Sequence, residues 1–190
     1  MTSHDNREAW LGAATLALGE RFAAAGYTVP KAVRAAIGFP STGRLSSRIG
    51  ECWSPEASAD GHHEIFVRAD RADPVDILAI LVHELVHAVV GNAERHGPRF
   101  RRCALALGLE GKMTATYAGS ALKSDLAKLA ENLGKLPHGA MNLAGGGRKK
   151  QTTRLLKVCC PACGYTVRVA QKWLDVGPPH CPEHGPMEAR

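Results

Sequence analysis

Asp73-Pro74-Val75-Asp76-Ile77-Leu78-Ala79-Ile80-Leu81-Val82-His83-Glu84-Leu85-Val86-His87-Ala88-Val89-Val90-Gly91 decides how the rest of the chain is read. Asp73 is a preferred N-cap and Pro74 suits the first helical position. Asp76 places negative charge in the first turn, and Gly91 supplies a stop. The body between them is almost wholly apolar, so the spacing predicts a helix buried on most of its faces. Three polar side chains, His83, Glu84 and His87, interrupt that body, and burying them without partners would be costly. His83 and His87 stand four residues apart, which puts both imidazoles on one face about one turn from each other, able to grip a single cation. A hydrolytic zinc needs neutral nitrogen ligands that leave one position open. It also needs a carboxylate that takes a proton from the attacking water and passes it to the leaving amine. Glu84 is expected to be that general base and not a ligand.

A third ligand must come from nearby chain, and His96 is best placed. Asn92 to Arg95 can turn back after the helix stop, and Gly97-Pro98 then open the next helix. Glu94 lies close to the helix end for reaching back. Glu110, beyond the second helix, is the alternative, at a distance reminiscent of sites with two His and one Glu. The metzincin pattern H-E-x-x-H-x-x-G-x-x-H does not fit, because Gly91 and His96 both come too late.

Outward from this core, Leu11, Thr15, Leu18, Phe22 and Ala25 form one 3.6-period stripe, predicting a helix over about Asp5 to Ala25. Extended segments are expected around Lys31 to Phe39, Arg44 to Trp53 and His63 to Arg68, building a small, mostly antiparallel sheet. Further helices are expected from Pro98 to Gly108 and from Ser120 to Leu133. The fold class is therefore α+β. After Pro137 the composition changes to Gly145-Gly146-Gly147 and Arg148-Lys149-Lys150, which reads as a flexible basic linker. The expected organisation is a domain over 1–136, a linker over 137–154 and a small unit over 155–190.

That small unit carries a second constellation. Cys160-Pro161-Ala162-Cys163-Gly164 and Cys181-Pro182-Glu183-His184-Gly185 repeat one template, with ligand types three apart and a Gly that lets the backbone turn. Two such knuckles at this spacing read as a zinc ribbon, with Cys160, Cys163, Cys181 and His184 closing a structural site. Cys159 and His180 adjoin these ligands and are the alternatives.

The run His83-Glu84-Leu85-Val86-His87-Ala88, followed by His96-Gly97-Pro98-Arg99-Phe100 and a helix ending at Leu107-Gly108, resembles the SprT-like zinc metalloproteases, including the Spartan proteases. Ile49-Gly50-Glu51-Cys52-Trp53 and the strand Glu64 to Arg68 are similar to the segment that precedes the active helix in that family. The resemblance implies a zincin-like fold, zinc on His83, His87 and His96, Glu84 as the catalytic carboxylate, and a C-terminal zinc ribbon. For Spartan it implies proteolysis of proteins trapped on DNA. The spacer from His87 to His96 is shorter than in the eukaryotic members.

The chain has 190 residues, and Lys plus Arg exceed Asp plus Glu by 24 to 18. The excess concentrates between Gly145 and Lys172, where Arg148, Lys149, Lys150, Arg154, Lys157, Arg168 and Lys172 face no acid. Such a stretch predicts salt-dependent, non-specific contact with nucleic acid. No apolar run is long enough to span a bilayer and no basic-then-apolar leader opens the sequence, so neither a membrane partner nor export is expected, and the location is expected to be cytoplasmic. Cys52 and Cys103 read as small buried apolar residues. His62, His63 and Tyr117 are candidate oxyanion stabilisers, although no spacing ties them to the metal. The function expected is a zinc metallopeptidase with one catalytic and one structural zinc, acting on protein or peptide substrates associated with nucleic acid. The alternative is a non-catalytic, zinc-stabilised module that binds nucleic acid.

Overall fold

The computed structural model describes residues 3–144 and 154–189, and the chain divides into two units, Met1–Gly145 and Gly146–Arg190. In the first unit, α1 (Arg7–Ala24) begins where the Asn6 side chain accepts the Ala9 N–H at 2.8 Å. Its buried stripe is Trp10, Leu11, Ala14, Leu18 and Phe22. Strands β1 (Val33–Gly38), β2 (Gly50–Trp53) and β3 (His63–Arg68) form a sheet in the order β1-β3-β2. In β3 the side chains alternate, with His63, Ile65 and Val67 buried, as a sheet with one covered face requires.

The sheet departs from the mostly antiparallel arrangement expected from sequence. β2 pairs antiparallel with β3, but β1 pairs parallel with it, Val33 opposite His63 through Gly38 opposite Arg68. The cause is a skipped position. The chain leaves β1 through irregular residues 39–49 and lays down β2 with a strand's width between them. β3 then fills that slot antiparallel to β2 and therefore parallel to β1. The Arg44 to Ile49 part of the expected second strand is irregular for the same reason.

Helix α2 (Pro74–Val90) packs on β2 and β3, with Asp73 capping the Asp76 N–H at 2.8 Å. Ten of its residues are buried, and Glu84 is the one charged side chain among them. Each fully buried Leu, Ile or Val contributes about 1.5–3 kcal/mol, which makes this helix the centre of the core. Helix α3 (Pro98–Ala106) follows. Next comes the antiparallel hairpin β4 (Leu109–Lys112) and β5 (Ala115–Ala118), and then α4 (Ser120–Leu133), which packs on α2 and α1.

Residues 137–144, the first part of the expected linker, lie along this unit. The Met141 N–H donates to the Ala69 carbonyl at 2.8 Å, and Arg44 donates to the Leu143 carbonyl at 2.8 Å. Arg148, Lys149 and Lys150 lie outside the described residues. The second unit pairs β6 (Leu155–Cys159) with β7 (Thr166–Ala170) and with β10 (Glu188–Ala189). A short helix α5 (Gln171–Leu174) and a two-residue ladder of β8 (His180–Cys181) with β9 (Gly185–Pro186) complete it. Val158, Cys160, Cys181 and Met187 form its small core. No helix among the described residues is long and apolar enough to cross a membrane.

Candidate metal centre and cleft

α2 presents His83 and His87 one turn apart, and a tight turn after it delivers His96. That turn runs from Glu94 to Gly97 and is closed by the Gly97 N–H donating to the Glu94 carbonyl at 3.0 Å, with Arg95 at φ 51°, ψ −121°. These are the angles of the first central residue of a type II′ turn, a position that suits Gly and costs any other residue about 1–3 kcal/mol. His96 occupies the next position and is thereby swung back over the helix.

The ligand atoms of His83, His87 and His96 all lie within 4.8 Å of one another, and the Nε2 atoms of His83 and His96 are 3.3 Å apart. Two nitrogens bound tetrahedrally at about 2.0–2.1 Å would stand about 3.3 Å apart, so the donor set fits a tetrahedral cation. The ring of Phe100, fully buried on α3, lies 4.9, 4.5 and 4.8 Å from the rings of His83, His87 and His96 and forms a common apolar floor. The Nδ1 atom of His83 is 2.7 Å from the Thr116 hydroxyl on β5. With that hydroxyl accepting the Nδ1 proton, Nε2 keeps its lone pair for the metal. Burial, followed by the neighbouring imidazoles, pushes His83 down to about 3. Burial, followed by His96, pushes His87 down to about 4. Both are neutral donors at pH 7.

The two other acids weighed as ligands are used elsewhere. Glu94 accepts the Arg99 N–H at 2.9 Å and so holds the first turn of α3, where a carboxylate also suits the helix dipole. Glu110, on β4, packs against Gly119 and stands outside the histidine cluster.

Glu84 is 5% exposed and lines the same cleft as the three histidines. Burial pushes its carboxyl up to about 8, while Arg48 opposes the shift. A bound cation would draw it back toward the carboxylate. Gly50 on β2 makes room for it, because a Cβ there would stand 2.4 Å from the Glu84 Oε1 and 2.6 Å from the Ile80 Cγ2. Beside it Glu51 is held by the Ser41 N–H at 2.6 Å, the Ser41 hydroxyl at 2.7 Å, the Trp53 indole N–H at 3.1 Å, and Arg48. The cleft has a volume of about 990 Å³. Of the three candidate oxyanion stabilisers, Tyr117 lines it, whereas His62 and His63 do not. Burial pushes the thiols of Cys52 and Cys103 up to about 12 and about 11, so neither is a nucleophile. Comparison with protein-family models, with curated proteins and with solved structures gives no match.

The second unit brings together Cys160, Cys163, Cys181 and His184, their ligand atoms all within 4.8 Å of one another. The Cys163 and Cys181 Sγ atoms are 3.7 Å apart, and the Cys181 Sγ is 3.6 Å from the His184 Nδ1. Ligands at Zn–S of about 2.3 Å and Zn–N of about 2.0–2.1 Å would give nearly these separations. The Cys160 thiol is held below its usual value by the backbone N–H of Cys163, which favours the thiolate that metal binding needs. Cys159 instead lies against the Thr166 hydroxyl at 3.4 Å, and His180 pairs along the β8–β9 ladder; neither belongs to the cluster.

The structure thus gathers all seven ligand residues expected from sequence into two groups. Sequence reasoning missed Thr116, Gly50 and the Arg48–Glu51 pair. For Thr116 the available signal was the short segment Leu109 to Ala118, bounded by Gly108 and Gly119, which reads as a hairpin once both glycines are taken as its ends.

Proposed function

We propose that this chain is a zinc-dependent peptidase of the SprT-like kind, with a zincin-like first unit and a zinc ribbon as its second. The observation that carries the reading is the convergence of His83, His87 and His96 in an open cleft whose wall also contains the buried Glu84. A zinc ion on those three imidazoles would supply Lewis acidity, polarising a carbonyl oxygen and acidifying water. Glu84 accepts a proton from the attacking water on a carboxylate oxygen and returns it to the leaving nitrogen. Thr116 holds the His83 ring in the orientation and tautomer the site needs, and Phe100 keeps the three rings from rotating. Tyr117 offers a hydroxyl to the oxygen that gains charge in the transition state.

In the second unit all four donors are protein groups, which suits a structural ion that replaces the missing core. Lys157 and Arg168 stand directly opposite each other on β6 and β7, both exposed. Facing like charges destabilise a ladder, and an anion such as a nucleic-acid phosphate relieves them.

The test is Glu84→Gln. Metal content should stay at the wild-type level while peptide cleavage falls by about 100-fold or more. Cleavage at the wild-type rate with Gln at this position would refute the assigned chemistry.

A further inference from the structure

Three cations face the cleft from three separate elements: Arg71 in the connection ahead of α2, Arg95 in the turn before His96, and Lys123 in the first turn of α4. None of them forms an ion pair among the described residues. Arg48, the fourth cation there, is taken by Glu51. The acids of the same lining are Glu51, paired with Arg48, Asp76, which already serves the first turn of α2, and the buried Glu84 beside the histidines.

Each of the three also sits where local physics disfavours it. The Arg71 Nε is buried without a hydrogen-bond partner, leaving a donor unsatisfied. Arg95 occupies φ 51°, a turn position where Gly would be unstrained. Lys123 lies at the positive end of a helix whose first turn holds no acid. Three unfavourable placements around one cleft have a common explanation in a ligand that brings negative charge, and cations without ion-pair partners lining a concave site concentrate such a ligand.

The shape of the cleft favours a polypeptide. β2 is an edge strand whose outer side pairs with no strand among the described residues; its Gly50, Glu51 and Cys52 line the cleft, and the Cys52 carbonyl there already accepts a side-chain N–H of Asn92 at 2.7 Å. Among the described lining residues, Tyr117 is the one Phe, Tyr or Trp on which a base could stack. We propose that the cleft selects polypeptide segments carrying Asp or Glu on either side of the bond held at the three histidines, with Arg71, Arg95 and Lys123 recognising those acids. This deepens the peptidase reading, and rests on it, by naming the substrate class.

The experiment measures fluorescence anisotropy of labelled peptides, identical except for flanking Glu, Gln or Lys, on the zinc-loaded full-length chain carrying Glu84→Gln. At low salt the Glu peptide should bind about tenfold tighter than the Gln peptide, the sum of several partly exposed charge contacts, and salt should erode the difference. In R71Q/R95Q/K123Q, with zinc content intact, the ratio should fall toward one. Arg95→Gly relieves the turn, so it should lower the ratio without lowering the melting temperature, which a purely structural role for Arg95 would not produce. Equal affinity for Glu and Gln peptides would overturn the proposal. So would a triple variant that loses affinity for a single-stranded oligonucleotide yet keeps the Glu preference, since the cations would then serve phosphates. If the chain with Glu84 in place cleaves none of these peptides while the preference persists, the peptidase reading fails and the acid-selective cleft stands.

Discussion

Gly50→Ala isolates the role of Glu84 without touching a metal ligand. The added Cβ would stand 2.4 Å from the Glu84 Oε1 and 2.6 Å from the Ile80 Cγ2. Ordinary contact begins near 3.4 Å, so the carboxylate must retreat by about 1 Å, the difference between those two distances. Ile80 gives little, because a β-branched side chain on a helix has one strongly preferred rotamer. Overpacking of this kind costs about 1–3 kcal/mol, and a misplacement of about 1 Å at a reacting group lowers the rate by about 100-fold. The assay has three arms: urea unfolding followed by tryptophan fluorescence, zinc content, and turnover of a fluorogenic peptide. The expected result is a stability loss within that range, unchanged zinc and a rate lower by about two orders of magnitude. Wild-type turnover in a chain that has lost stability would refute the reasoning, because it would mean the position of Glu84 does not matter to the chemistry.

Two further outcomes are expected. Thr116→Val keeps the shape of the side chain but removes the oxygen at 2.7 Å from the His83 Nδ1. Competition with a chelator should then show zinc at the first site held about 10-fold to 100-fold more weakly, with the second site unaffected. K157Q/R168Q should weaken oligonucleotide binding about equally across sequences and flatten its dependence on salt, since each phosphate contact adds to that slope; an unchanged slope would free the second unit of that role.

Where local chemistry determines an element, the sequence made it readable. Asp73, Pro74 and Gly91 bracket α2 as they do in the structure, and the Ser120 to Leu133 helix has the bounds its leucine spacing predicts. The histidine cluster was legible for the same reason, because a helical turn and a tight turn are both short-range objects. The parallel pairing of β1 with β3 was not, since it depends on a strand position skipped between residues 39 and 49, and no residue in that stretch announces the skip. The β4–β5 hairpin escaped because its strands are short and mostly exposed, with Leu109 the one buried side chain, so they lack the alternation that marks a strand with one covered face. With the hairpin went Thr116, whose link to His83 spans 33 residues of sequence. Residues 137–144 read as linker because the composition changes after Pro137 toward the glycine and basic runs that follow, yet the Met141 N–H donates to the Ala69 carbonyl and Arg44 donates to the Leu143 carbonyl, contacts that composition does not register.

The proposed chemistry requires a metal held by the three imidazoles independently of the cysteine cluster. The most direct measurement is zinc per chain by mass spectrometry on the full-length protein and on His87→Ala. Two ions in the wild type falling to one in the variant, with the second unit still folded, is the predicted result. Two ions retained without His87, or one ion in both chains, would contradict it.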